Sequence, residues 1–232
     1  MTPHEQLLQL ARQPVDIAAQ FAIDPDRLQA FSLDVAGIHA DLSKLALTSA
    51  VQAALADLAA ASDLAGWRAR LFAGDIVNPS EGRAATHIAE RGMGTPASNE
   101  VAAAAASTVA AMAASLRSEG ISHLIHIGIG GSALGPALLI DALGRDGDGP
   151  AIEIVANIDG EALARALARC DPARTAIAVV SKTFTTTETL TNAASALPWL
   201  DAGGGTGARR RVIAITAAPE RARAWGAGQV LP

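Results

Sequence analysis

Four short apolar runs, Leu124–Ile129, Ile152–Ala156, Ala176–Val180 and Val212–Ile215, are separated by helical patterns over Gly135–Leu143, Glu161–Arg169 and Glu188–Leu197. No other feature of the sequence constrains the fold as tightly. Short continuous apolar runs suit strands covered on both faces, and helical crossovers between them make neighbouring strands parallel. The expected fold class is α/β: a doubly wound parallel sheet with helices on both faces. Ligands of such sheets bind outside the carboxyl ends of the strands. The residues that follow each run are therefore the first place to look for chemistry.

Upstream the pattern differs. Residues 1–94 read as helical throughout. Asp24-Pro25-Asp26 is expected to open a helix through Leu33, with Ser32 or Asp34 capping the next. Val51, Leu55 and Leu58 keep helical spacing, as do Leu64, Trp67 and Leu71. Asn78-Pro79-Ser80-Glu81-Gly82 breaks the pattern, and Gly92-Met93-Gly94-Thr95-Pro96 reads as a linker. Ser98 or Asn99 is expected to cap a long alanine-rich helix ending at Gly120, with Val101, Val109, Met112 and Leu116 on one face. The expected organisation is a helical segment over 1–97 and an α/β domain over 98–232. DAGGGTGA at 201–208 reads as a flexible loop, and Arg209–Arg211 as the solvated start of a strand.

Composition narrows the function. The chain has 232 residues and a net charge of −5, which gives no electrostatic pull toward nucleic acid. A single cysteine, Cys170, excludes an internal disulfide framework and fits a reducing compartment; the thiol reads as inert. The N-terminus lacks the basic-then-apolar pattern of a secretory signal. Val101–Leu116 reads as too short and too weakly apolar to span a membrane. The expectation is a soluble cytoplasmic protein without nucleic-acid or membrane partners. Of 18 basic residues only Lys44 and Lys182 are lysine.

One of those lysines lies in VSKTFTTTETLTN, residues 180–192, which packs six threonines and a serine between a strand and a helix. The helix N-terminus offers unpaired N–H donors and partial positive charge, which suit a phosphate. Ser181, Thr183, Thr185, Thr186 and Thr187 add hydroxyls, and Lys182 a full charge. One or two of these hydroxyls would suffice for helix capping; the excess points to phosphate binding. The first strand is followed by IHIGIGGSALGP, residues 125–136. Its Gly128, Gly130 and Gly131 allow close approach of a ligand to the backbone. Gly128-x-Gly130-x-x-Ala133 is also a loose dinucleotide fingerprint, with Asp159 as a candidate ribose-binding acid. That alternative leaves the hydroxyl-rich loop unexplained. His123 and His126 lack further residues at metal-ligand spacing. His87, four residues before Arg91 on an expected helix, reads as a packing residue.

IGIGGSALGP closely resembles the glycine loop of phosphoglucose isomerases, and SKTFTTTETLTNA their sugar-phosphate-binding segment. NPSEGRAATHIAERG, Asn157-Ile158-Asp159-Gly160 and FSLDVAGIHADLSK, which contains Lys44, resemble further stretches of the family in the same order. The resemblance implies a SIS-type sugar-isomerase domain. It implies a reaction of glycolysis and gluconeogenesis, the interconversion of glucose 6-phosphate and fructose 6-phosphate through ring opening and an enediolate. It implies that Gly131 and Ser132 border the sugar and that Ser181, Lys182, Thr183, Thr185 and Thr186 hold the phosphate. Neither a metal nor an organic cofactor is implied, and family members commonly form homodimers.

Family members are much longer. The resemblance places their arginine, glutamate base, ring-opening histidine and late lysine downstream of Pro232. The chain is therefore expected to be an N-terminal part with its α/β domain truncated, its last strand missing and an apolar edge exposed. It is expected to hold no catalytic residue and to be inactive alone. Glu81 and Arg83 match the family signature, and a structural role suits them equally well. Two readings from other classes compete: a non-catalytic sugar-phosphate-binding SIS module, and a dinucleotide-dependent oxidoreductase.

Overall fold

The computed structural model describes every residue except Glu81, Arg145, Asp146 and Asp148. Contacts divide the chain into two compact units, Met1–Asn99 and Glu100–Pro232.

The first unit contains α1 (Pro3–Ala11), α2 (Ile17–Ile23), α3 (Arg27–Ala30), β1 (Ser32–Val35), β2 (Ile38–Asp41), α4 (Ser49–Ala61) and α5 (Leu64–Ala73), followed by a 3-10 turn over His87–Arg91. Its helices start where side chains satisfy their first N–H groups. Thr2 and Glu5 form a reciprocal capping box, and Asp16, Thr48 and Asp63 each accept a first-turn amide. The wholly helical expectation fails at residues 32–41. β1 and β2 form an antiparallel hairpin in which Val35 pairs with Ile38. Ala36 and Gly37 both take positive φ, 51° and 78°, the geometry of a two-residue turn matched to strand twist. Ser32 and Asp34 are thus strand residues and not caps, and α3 stops at Ala30. Arg27 is buried beneath the hairpin's exit. Its Nε donates to the Ser43 carbonyl at 2.8 Å and Nη2 to the Leu45 carbonyl at 3.0 Å, and its guanidinium lies 4.6 Å from the Phe31 ring centre. His87 lies in the 3-10 turn instead of an α-helix, and Glu81 falls outside the described residues.

The linker before α6 (Pro96–Ser118) supplies its own cap. Thr95 Oγ1 accepts the Ser98 amide, while Asn99 turns back to take the Gly94 amide. With Pro96–Glu100 included, α6 reaches 23 residues. By length and composition alone that suffices to cross a membrane, contrary to the shorter tract read from the sequence. Its C-terminal half packs on protein: Met112 and Leu116 lie against the sheet. Val101 and Val109 are exposed and do not continue that face. Gly120, at φ +72°, turns the chain out of the helix.

The second unit is a five-stranded parallel sheet. β3 (His123–Gly128), α7 (Gly131–Leu143), β4 (Ala151–Val155), α8 (Gly160–Ala168), β5 (Thr175–Val180), α9 (Thr187–Gly203), β6 (Val212–Ile215), α10 (Pro219–Trp225) and β7 (Gln229–Leu231) alternate along the chain. The spatial order is β4-β3-β5-β6-β7. The α/β class and parallel sheet expected from the sequence are therefore present, with a fifth strand beyond the four apolar runs. β7 pairs with β6 from Gln229 to Leu231.

Strand alternation divides the core. Ile125, Ile127, Val155, Ile177, Val179, Val212 and Ala214 face α8, α9 and α10 and meet Leu163, Ala166, Ala193, Ala196, Leu200 and Ala222. The intervening Leu124, Ala176, Ile213 and Ile215 face α6. Small residues on the helices bring them close to the sheet, which explains how so few aromatics suffice. Two loop expectations change. α9 runs on to Gly203 and shortens the glycine-rich loop. Arg211 is tied down: its guanidinium donates to the carbonyls of Pro172, Ala173 and Gly204.

Candidate functional site

The chain moves outward from β3 to β4, then returns past β3 to place β5 on the other side. That reversal lies between β3 and β5. A doubly wound sheet opens a crevice for ligand at such a point, because consecutive connections leave on opposite faces. The register pairs Gly128 with Val180 across it. The glycine loop and the hydroxyl loop, which leave these two residues, therefore start side by side at one end of the sheet.

The hydroxyl loop spans Ser181 to Thr186. Ser181 is buried, and its Oγ lies 3.0 Å from Thr186 Oγ1; Thr183 Oγ1 lies 2.7 Å from Thr185 Oγ1. Thr186 occupies the N-cap of α9 yet makes no capping hydrogen bond. The hydroxyls pair with one another instead of closing off the first-turn amides, so capping does not account for them. Lys182, Thr183 and Thr185 are exposed. Phe184 points the other way: it is buried, with its ring edge-on to Trp225 at 5.8 Å, and takes a φ of +51°. A left-handed phenylalanine is uncommon. Burying that ring puts the flanking threonines on the solvent side.

In the glycine loop each glycine answers a different need. A Cβ on Gly128 would sit 2.7 Å from the Ser132 carbonyl oxygen. Gly130 has φ +58° and ψ −122°, a region that side chains disfavour. Gly131 opens α7 with nothing within 4 Å of a Cβ placed there. Ser132 is half-buried in the same turn. Ala133 is buried.

Behind this turn stands a residue whose role the sequence did not reveal. Pro136 lies inside α7 and has no N–H to offer the Ser132 carbonyl. The buried His126, one strand position from Ile127, donates its Nε2–H to that carbonyl at 2.7 Å. The carbonyl can only accept, so the ring must carry its proton on Nε2. His126 thus belongs to a backbone anchor and not to a metal pair with His123, which sits beside Ser122 Oγ at 2.9 Å. Among the described residues no group of three or more His, Cys, Asp or Glu side chains is placed to hold a metal ion. Asp159 has a structural task as well: its Oδ1 accepts the Glu161 amide and caps α8. Asn192 of α9 donates to the Asn157 carbonyl at 2.7 Å, tying the segment after β4 to the helix that starts at the hydroxyl loop.

The family model described as phosphoglucose isomerase matches residues 41–230. The chain belongs to the phosphoglucose isomerase family. It is 50% identical over 218 residues to the glucose-6-phosphate isomerase of Sphingopyxis alaskensis, a match covering 92% of this chain and 44% of the relative. It is 49% identical over 232 residues to that of Novosphingobium aromaticivorans, covering 96% and 46%. A crystal structure of a glucose-6-phosphate isomerase from Chlamydia trachomatis superposes with a TM-score of 0.82 at 25% identity, over 100% of this chain and 47% of that one. The fold is thus the SIS-type fold of these isomerases, and the chain spans less than half the length of the relatives it matches.

Proposed function

We propose that this phosphoglucose isomerase family chain binds the phosphate of glucose 6-phosphate and fructose 6-phosphate between its two loops, as the substrate-binding part of an aldose–ketose isomerase. The observation that carries this reading is the uncapped N-terminus of α9, set beside the glycine loop at the strand-order reversal, with five hydroxyls and Lys182 around it. The unpaired amides and helix dipole favour a dianion there. Ser181, Lys182, Thr183, Thr185 and Thr186 hold the phosphate, and Gly131 and Ser132 border the sugar. The same reading includes a homodimeric state for the full-length family member and a cytoplasmic setting, and makes no use of a metal or nucleotide. It gives this chain no catalytic residue: the loops supply hydrogen-bond donors and one cation, and their nearest acid, Glu188, lies on α9 past the turn.

The test is calorimetry with fructose 6-phosphate on the parent and on the Thr183→Val/Thr186→Val double variant. Each hydrogen bond lost to a charged group should cost ~1.5–3 kcal/mol, or about one to two powers of ten in affinity. A folded double variant that binds like the parent would sink the assignment. Binding of NAD with comparable strength would favour the dinucleotide alternative.

A further inference from the structure

The hydroxyl loop does not hold its shape alone. Two consecutive carbonyls, those of Lys182 and Thr183, turn toward the segment that follows β6. The Lys182 carbonyl accepts two donors, the Ala217 amide at 3.0 Å and Thr216 Oγ1 at 3.1 Å. The Thr183 carbonyl accepts Arg221 Nη1 at 2.9 Å. Thr216 is buried, and its hydroxyl oxygen in turn accepts the Ala218 amide at 3.0 Å. One hydroxyl thereby joins the loop to the start of α10. Trp225, at the far end of α10, holds the Phe184 ring between these ties and α9.

This arrangement matters for an anion. A peptide carbonyl is the negative end of its dipole, and one turned toward a phosphate would repel it. A carbonyl held on the opposite side points its own peptide's N–H toward the ligand. The Lys182–Thr183 peptide is fixed in that sense by Thr216 and Ala217. The Thr183–Phe184 peptide gives its N–H to the Ser181 carbonyl, and Arg221 keeps its carbonyl turned away from the ligand. We infer that Thr216 and Arg221 are positioning residues for sugar-phosphate binding, acting through the Lys182 and Thr183 carbonyls without touching the ligand. The inference rests on the phosphate-binding reading of the loop. It adds that the crossover after β6 sets the affinity.

Three variants test it: Thr216→Val, which keeps the shape and removes the donor, Thr216→Ser, which keeps the donor, and Arg221→Ala. Arg221 is exposed, so its removal takes nothing from the core. The first measurement needs no ligand: exchange of the Phe184 amide, which bonds the Ser181 carbonyl at 3.2 Å and closes the loop's turn. The valine and alanine variants should exchange this amide faster than the parent, and the serine variant at the parent's rate. Unchanged exchange in both would overturn the inference. The second is calorimetry with fructose 6-phosphate. Thr216→Val should weaken binding about ten-fold, and Arg221→Ala about three-fold, within the range of a single hydrogen bond. Thr216→Ser should stay within about two-fold of the parent, because it restores the same bond.

If the Thr183→Val/Thr186→Val variant loses binding while Thr216→Val and Arg221→Ala keep it, the positioning role is wrong and the phosphate site stands. If the parent binds no sugar phosphate, the site reading fails and the positioning role falls with it.

Discussion

His126 shows how one side chain can be committed by a residue ten positions away. Pro136 deprives the Ser132 carbonyl of its helical donor, and the imidazole supplies the replacement from β3. Replacing His126 with leucine leaves a buried acceptor unpaired, at a cost of about 1–3 kcal/mol. Glutamine, whose amide can still donate, should recover most of that loss. Urea denaturation of the two variants measures the difference, and equal midpoints would show that the bond contributes nothing. Cys170 is committed in the opposite sense. Burial pushes its thiol up, and the nearby charge of Glu153 adds to the shift. The reactive species is the thiolate. A raised value means that the folded protein holds less thiolate than the unfolded chain at every pH below it. Alkylation by iodoacetamide at pH 8 should therefore be slow in the native protein and fast in urea. A fast native reaction would contradict this placement.

Secondary-structure elements differ in how plainly the sequence announces them. β5 is buried along nearly its whole length, so Ala176–Val180 is a plain apolar run in the sequence. The β1–β2 hairpin is weakly marked because its turn is Ala36-Gly37, without the asparagine or aspartate typical of such turns, although Leu33, Val35, Ile38 and Ala40 keep a period of two within each strand. β7 is three residues long and gives no periodicity to read. The candidate site follows the same rule. Its hydroxyls and glycines are contiguous and legible, whereas the ties from His126, Thr216 and Asn192 depend on which strands become neighbours. At the glycine loop, geometry separates two adjacent residues. Gly130 needs its unusual φ, so Gly130→Val should destabilise the fold by about 1–3 kcal/mol. Gly131 has open space around it, so Gly131→Val should leave the melting temperature nearly unchanged and still exclude fructose 6-phosphate from the crevice. Normal binding by a folded Gly131→Val variant would remove this loop from the proposed pocket.

For the molecule as a whole, the decisive question is what the two proposed substrate loops can do without a base. Moving a proton between C2 and C1 of the sugar requires a group within hydrogen-bond reach of those carbons that can accept it near neutral pH. The hydroxyls of Ser181, Thr183, Thr185 and Thr186 are far too weakly basic for that task. Contacts to the phosphate are the same in substrate and transition state, so they tighten binding without lowering the barrier between the two. The chain also spans less than half of each isomerase it resembles, including the 44% of the Sphingopyxis alaskensis protein that it matches. Residues 1–232 should accordingly bind fructose 6-phosphate and fail to convert it. A coupled assay for glucose 6-phosphate, run on this chain beside the Sphingopyxis alaskensis enzyme, checks the prediction. Turnover should be at background here and abundant there. A rate within about a hundred-fold of the longer enzyme, equivalent to less than ~3 kcal/mol of lost transition-state stabilisation, would mean that a working base lies within these residues. The search would then begin with Glu188 and Asp159, at the starts of α9 and α8.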